Sequence, residues 1–207
     1  MILYEFNLSR ATRVRWLLQE LGAEFDAVRV DLVVGEQKGA EFLSINPAGK
    51  LPVLVDGDTV LTESAAIVLY LAEKDEQRRF LPADRAQRAQ VYRWLFFAVT
   101  ELEQPLLRMH RHTRLYAAER RLPAEIDLAR EDFAAMVRVL ETHMRDRPFV
   151  AGADVSVADF VLAWTLDWAS TSALLEHSPN LQAYLERMYR RAAAPSRMRP
   201  SRASSSN

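Results

Sequence analysis

Hydrophobic and polar positions follow two alternating periods over the first 32 residues. Ile2 to Phe6 is a short, apolar and β-prone run. Apolar residues then recur at helical spacing from Val14 to Leu21, and Gly22 ends this helix. Between Phe25 and Leu32 the pattern returns to the alternation of a strand. The pattern therefore predicts a β-α-β unit.

The next part of the chain predicts a hairpin followed by a helix. Two short apolar runs, residues 52–56 and 59–62, flank a turn that contains Gly57. Helical spacing follows from Ser64 to Lys74, whereas the segment between Leu32 and the hairpin has no clear period. Residues 1–75 are thus predicted as β-α-β, an irregular stretch, then β-β-α.

After a linker at residues 76–84 the pattern becomes helical, and no strand is predicted. The predicted helices span about residues 85–118, 124–146, 156–170 and 179–191. Pro105 predicts a bend near Leu102, because proline cannot donate the helical hydrogen bond at its position. Ser156 and Asp159 have the spacing of a capping box, and we interpret them as structural. We expect an all-helical domain over 85–192 and a disordered, arginine-containing tail over 193–207.

Composition narrows the choice of function. The 207 residues include 27 basic and 28 acidic ones, so net charge gives no indication of a nucleic-acid partner or an anionic membrane. No apolar run approaches the roughly 20 residues of a membrane span, and no signal-peptide layout precedes the first strand. We expect a cytoplasmic protein.

The chain has no cysteine, which excludes disulfides and a protein thiolate nucleophile. We also expect no metal site, because His110 and His112 point away from each other on a helix.

The segment NPAGKLPVLVDGDTVLTES combines a proline at a strand entrance with a carboxylate at a helix start. A cis bond before Pro52 would turn the backbone of Leu51 outward, where it could pair with an extended peptide. Glu63 could then bind an ammonium group, while Ser64 and the first N–H groups of the helix bind a carboxylate. Together these features describe a socket for a small zwitterionic peptide.

The sequence resembles the cytosolic glutathione S-transferase family over nearly its whole length. The resemblance rests on LYEFNLSRATRVRWLLQELG, NPAGKLPVL, TESAAIVLYLAEK and VSVADF, in this order and spacing. It implies a thioredoxin-like N-terminal domain (β-α-β-α-β-β-α), an all-helical C-terminal domain and a homodimer. It also implies glutathione as co-substrate, with the glutathione-binding residues Gln37, Lys50, Leu51, Pro52, Glu63 and Ser64.

Such an enzyme must ionise the glutathione thiol near neutral pH, against a free cysteine pKa of about 8.5. Ser9 follows the first strand and precedes the first helix, so its hydroxyl and the helix dipole can face one thiolate. Tyr4 is the rival, although its position inside ILYEF suggests a packing role; Thr12 and Asn7 are further possibilities. Arg10 stands where some bacterial classes have a cysteine, which argues against mixed-disulfide chemistry.

The expected second substrate is a small apolar electrophile, bound between the two domains. Its candidate pocket residues are Phe6, Leu8, Arg108, Met109 and Tyr116, of which Met109 equally fits core packing. Peroxide reduction is a possible side activity. Two alternatives stay open: a glutathione-dependent isomerase or dehalogenase, and a non-catalytic interaction or regulatory module of the same family.

Overall fold

The computed structural model describes residues 1–198, and these divide into two compact units. One unit comprises residues 1–83 together with 191–195, and the other comprises 84–190 together with 196–198. The segment expected to be a linker, 76–84, therefore belongs to the first unit up to Ala83. Within the described residues no helix combines the length and the apolar character needed to cross a membrane.

The first unit is a four-stranded mixed sheet with helices. The order of the strands across the sheet is β2-β1-β3-β4, in which β1 is parallel to β2 and antiparallel to β3, and β3 and β4 form an antiparallel hairpin. The elements along the chain are β1 (Ile2–Glu5), α1 (Ala11–Leu21), β2 (Asp26–Arg29), a 3₁₀ turn (Glu36–Lys38), α2 (Ala40–Ile45), β3 (Val53–Asp56), β4 (Thr59–Thr62) and α3 (Ser64–Lys74). This confirms the predicted fold class.

Two local predictions that rest on the hydrophobic pattern need correction. The stretch that the pattern left irregular contains a short helix, α2, whose six residues AEFLSI are too few for a clear helical period, and the order β-α-β-α-β-β-α implied by the family resemblance includes this helix. The strand expected from Phe25 to Leu32 is shorter, and all four residues of β2 are exposed, because β2 is an edge strand. Val30, just beyond β2, is the residue of this segment that reaches the core, where it packs with Phe42 and Val53.

The second unit is all helical. Its helices are α4 (Arg85–Phe97), α5 (Glu103–His110), α6 (Pro123–His143), α7 (Val157–Ser170) and α8 (Pro179–Tyr189). A π-helical turn over Ala98–Leu102 separates α4 from α5, so the predicted interruption near Leu102 is confirmed. Its cause is Pro105, which has no N–H to donate to the carbonyl of Glu101. A second π-helical turn, Arg111–Leu115, ends this helical segment.

Asp159 and Asp167 are buried carboxylates on α7, and each is held by groups of its own unit. Asp159 accepts hydrogen bonds from the N–H and hydroxyl of Ser156 at 2.8 and 2.9 Å, which agrees with the structural interpretation of this pair. Asp167 accepts from the Arg197 guanidinium at 2.7 Å and from the Met198 N–H at 2.8 Å. Ordered contacts therefore extend into the segment expected to be disordered; the rest of that expectation, residues 199–207, lies outside the described residues.

Candidate functional site

The loop between β1 and α1 holds Ser9 at the start of the helix. The Ser9 hydroxyl donates to the Phe6 carbonyl at 2.7 Å and accepts from the Ala11 N–H at 3.2 Å. Its oxygen therefore sits at the positive end of the α1 dipole. A ligand that recruits this hydroxyl as a donor must replace the Phe6 carbonyl as its acceptor.

Tyr4 occupies a different environment, inside the sheet. It lies in β1 opposite Val28 of β2 and Val53 of β3. Its ring makes an edge contact with Phe42 of α2 at a centroid distance of 6.0 Å and packs against the hydrophobic cluster that contains Val30. These contacts supply the packing role that its place in ILYEF suggested.

The turn before β3 is built by Asn46 and Gly49. The buried Asn46 side chain donates to the Lys50 carbonyl at 2.7 Å and accepts from the Ala48 N–H at 3.1 Å. Gly49 has a positive φ of 59°, and a Cβ there would approach the Gln37 carbonyl oxygen to 3.0 Å. The turn therefore requires glycine. It also brings the segments of Gln37 and Lys50 close together, as expected if both residues bind one ligand.

The Leu51–Pro52 peptide bond is cis, which confirms the prediction from the sequence. The side chain of Leu51 packs against the cluster of Val30, Phe42 and Val53. Within residues 1–198, no group hydrogen-bonds to the backbone N–H or C=O of Leu51. Both groups remain available to an extended ligand.

Glu63 and Ser64 stand at the start of α3 in unusual settings. Glu63 is exposed and has φ 63° and ψ 107°, a sparsely populated conformation that costs on the order of 1–3 kcal/mol. Ile67 makes the first helical hydrogen bond of α3, to the Glu63 carbonyl. The N–H groups of the first three helical residues, 64–66, therefore have no partner within the helix. Among residues 1–198, a strained backbone and N–H groups without a hydrogen-bond partner coincide at the point where a carboxylate was predicted to bind.

Ser64 is buried against an arginine that the sequence analysis did not single out. Arg13 of α1 is only 1% exposed, and its Nε and Nη2 donate to the Ser64 Oγ at 2.9 and 2.5 Å. Arg13 stands four residues before Leu17, on the apolar face of α1. An arginine at such a position was the signal that could have revealed it. Asn46 gave no comparable signal, because asparagine is common in turns for local reasons.

The five residues predicted for the electrophile pocket lie in both units. In the first unit, the Arg29 guanidinium lies over the Phe6 ring at 5.2 Å, and Leu8 is 66% exposed with a positive φ. In the second unit, the Arg108 guanidinium forms ion pairs with Glu125 and Asp132. Glu125, and secondly Asp132, raise the pKa of Arg108 through these hydrogen bonds.

The remaining pocket candidates are partly buried in the second unit. Met109 is partly buried in α5. The Tyr116 ring makes an edge contact with His112 and lies beneath the Arg120 guanidinium at 4.9 Å. A pocket formed by the five residues stays a prediction.

Family profiles match both units. The profile "Glutathione S-transferase, N-terminal domain" matches residues 1–73, and "Glutathione S-transferase, C-terminal domain" matches residues 123–187. The chain is also 38% identical to Glutathione S-transferase F10 of Arabidopsis thaliana over 69% of this chain and 68% of that protein. The chain belongs to the glutathione S-transferase family.

Proteins whose names indicate different activities are also similar to the chain. It is 31% identical to the Disulfide-bond oxidoreductase YfcG of Escherichia coli, over 87% of this chain and 86% of that protein. A glutathione transferase homologue from Sulfitobacter, solved with bound glutathione, is 25% identical with a TM-score of 0.83, and the match covers 93% of each chain. Family membership therefore establishes the fold, whereas the choice among activities depends on the residues of the site.

Proposed function

We propose that this glutathione S-transferase family member adds the thiolate of glutathione to small apolar electrophiles. The observation that carries the proposal is the arrangement at the start of α3. There Glu63 offers an exposed carboxylate, and the adjacent Ser64 and first helix N–H groups offer donors. A γ-glutamyl group carries an ammonium and a carboxylate on one carbon, so it needs both kinds of partner side by side.

The other parts of the peptide have partners along the same unit. The free backbone groups of Leu51 suit the cysteinyl unit, because an extended peptide pairs through its main chain. The Lys50 ammonium and the Gln37 amide suit the glycyl carboxylate, and Gly49 holds their two segments close together. Pro52 ends this peptide-facing edge and leads into β3.

The chemical step requires a stabilised thiolate. We propose that Ser9 donates its hydroxyl hydrogen to the glutathione sulfur, giving up the Phe6 carbonyl, while the α1 dipole favours the negative charge. The thiol proton leaves to water. The sulfur then forms a bond to the electrophilic carbon, and either a leaving group departs with its bonding electrons or, in an addition, the resulting carbanion takes a proton.

The proposal extends to the second substrate and the assembly. The apolar and aromatic surface that an apolar electrophile needs is supplied by Phe6, Leu8, Met109 and Tyr116. Peroxide reduction is a side activity of the same thiolate.

The protein forms a homodimer and works in the cytoplasm, as members of this family do. In α4, Val91, Trp94 and Leu95 are buried, whereas Phe96 is exposed and available for a dimer contact. A monomeric mass by light scattering at micromolar concentration would contradict the dimer.

A glutathione affinity resin followed by an electrophile screen tests the proposal. We expect retention on the resin, elution by free glutathione, and conjugation of at least one apolar electrophile with consumption of the thiol. A dimer that ignores glutathione would instead indicate an interaction module. Activity confined to isomerisation or dehalogenation would support the glutathione site but contradict the proposed reaction and its class of second substrate. Disulfide exchange through a protein thiol is excluded, since the sequence has no cysteine.

A further inference from the structure

We propose that Arg13 is a positioning residue that fixes the Ser64 hydroxyl as a hydrogen-bond donor and so makes the start of α3 selective for a carboxylate. The inference rests on the proposed function, since it assigns Ser64 to the γ-glutamyl carboxylate of glutathione. It adds a residue and a specificity rule that neither the sequence motifs nor the family comparison supplies.

The first step concerns the lone pairs of one oxygen atom. A serine hydroxyl has one hydrogen to donate and two lone pairs that accept. Arg13 donates to the Ser64 Oγ through two different nitrogens, at 2.9 Å from Nε and 2.5 Å from Nη2. Both lone pairs are therefore occupied, and the hydroxyl can only donate to a further partner.

The second step concerns the fate of that hydrogen. In the described part of the chain, the Ser64 hydroxyl donates to no acceptor. A carboxylate can accept this hydrogen together with those of the α3 N–H groups, whereas an amide nitrogen or an ammonium cannot accept it. The side chain is thus prepared for an anionic acceptor before a ligand arrives, which lowers the cost of ordering on binding.

The third step explains why the partner is an arginine. Two N–H groups of a planar guanidinium, held in fixed geometry, converge on one oxygen, whereas the single nitrogen of a lysine can point only one N–H at it. Packing restrains Arg13 further, because it is 1% exposed and α1 packs against α3. A lysine would leave one lone pair of Ser64 free, so the hydroxyl would no longer be restricted to donation.

The test compares two ligands in the intact protein. One is S-methylglutathione, and the other is its analogue in which the γ-glutamyl α-carboxylate is a primary amide. The quantity measured is the ratio of their dissociation constants by calorimetry, because partial unfolding weakens both ligands equally and leaves the ratio unchanged. We expect the wild type to prefer the carboxylate by roughly ten- to a hundredfold, as one charge-assisted hydrogen bond provides.

Substitution of Arg13 should remove most of this preference. Arg13→Met should reduce the ratio by about tenfold. Arg13→Lys, which keeps a buried cation, should give an intermediate ratio, and it replaces the methionine variant in the test if that variant does not fold. Ser64→Ala should reduce the ratio to a similar extent, and adding Arg13→Met to it should change the ratio little further, since both act through one hydroxyl. The matched control is Arg15→Met in the same helix, whose arginine pairs with Glu5 instead and should keep the wild-type ratio.

The outcomes separate this inference from the proposed function. A wild-type protein that binds neither ligand would overturn the proposed function and the role of Arg13 with it. If the wild type binds both ligands and prefers the carboxylate, but the Arg13→Met or Arg13→Lys protein keeps that preference, the role of Arg13 alone is overturned. Loss of the preference in the Arg13 and Ser64 variants, with Arg15→Met unchanged, supports it.

Discussion

Each unit buries a charged side chain against polar partners, and the two clusters, around Arg13 and Asp159, are completed differently. In the helical unit, the four lone pairs of the Asp159 carboxylate meet donors from Val150, Ser156 and Tyr184 at 2.8–3.0 Å. In the α/β unit, Arg13 saturates the acceptor side of Ser64 but leaves its hydrogen without an acceptor among the described residues. A closed cluster supports a fold, whereas an incomplete one prepares for a ligand.

Backbone geometry sharpens the same contrast. Next to the incomplete cluster, Glu63 has a positive φ that a non-glycine residue rarely adopts. Within the closed cluster, Ser156 has an ordinary extended conformation, with φ −130° and ψ 172°. Strained conformations persist where a function requires them, so the strain at Glu63 and its absence at Ser156 agree with the two roles.

The largest effect that we predict is on the stability of the helical unit. Asp159→Asn replaces one acceptor oxygen by an N–H donor group, so a buried backbone N–H loses its acceptor and the hydroxyl that shared this oxygen must reorient. The free energy of unfolding should fall by roughly 2–5 kcal/mol. Urea unfolding followed by tryptophan fluorescence, to which Trp94, Trp164 and Trp168 of this unit contribute, measures it. The control is Asp154→Asn, an exposed aspartate in the preceding loop.

The same variant tests whether the closed cluster is structural alone. Under conditions where Asp159→Asn remains folded, its affinity for glutathione should equal that of the wild type. A stable Asp159→Asn protein with weakened glutathione binding would reverse the assignment of the two clusters.

A smaller effect is expected on ligand binding in the α/β unit. Glu63→Gln keeps the shape of the side chain but removes the charge that pairs with the γ-glutamyl ammonium. Glutathione affinity should therefore fall by roughly 1–3 kcal/mol, with little change in stability. Calorimetric titration measures it, with Glu73→Gln, an exposed position later in α3, as the control. An unchanged dissociation constant would remove Glu63 from the site.

The smallest predicted effect concerns acid sensitivity, which should also differ between the units. Burial of the His143 imidazole, which bonds the Val150 carbonyl at 2.8 Å, lowers its pKa. As the pH falls through the ordinary histidine pKa of about 6.5, the unfolded chain gains a proton that the folded one does not, so stability is lost. In the α/β unit, hydrogen bonds from Lys74 and then Tyr70 lower the pKa of Asp56, whose contribution is lost only below about pH 4.

Hydrogen exchange at a series of pH values tests this difference. Between about pH 6.5 and pH 5, we expect the helical unit to lose protection before the α/β unit. His143→Gln, which cannot titrate, should reduce that loss. Equal loss in the wild type and His143→Gln would assign the acid sensitivity to other groups.

The sequence predicted elements and sites unequally well, for physical reasons. Helix α3 was predicted at its observed bounds, Ser64–Lys74, because turn residues, an apolar period and its final lysine agree there. Helix α2 was implied by the family resemblance but not by the hydrophobic pattern, because six residues cannot display a helical period. Arg13 was missed because its role depends on Ser64, which is 51 positions away in sequence. Local signals specify local structure, whereas a site assembled from two helices requires the fold.

The measurement that tests the central claim most directly is an ultraviolet titration of glutathione bound to the wild type, Ser9→Ala and Tyr4→Phe. We predict that the bound thiol ionises below its free pKa in the wild type and in Tyr4→Phe, and that Ser9→Ala raises this pKa with little change in affinity. Turnover of Ser9→Ala should fall roughly tenfold to a hundredfold, because one charge-assisted hydrogen bond to the sulfur is lost. A raised thiol pKa in Tyr4→Phe, with Ser9→Ala like the wild type, would contradict the account and assign the thiolate to Tyr4.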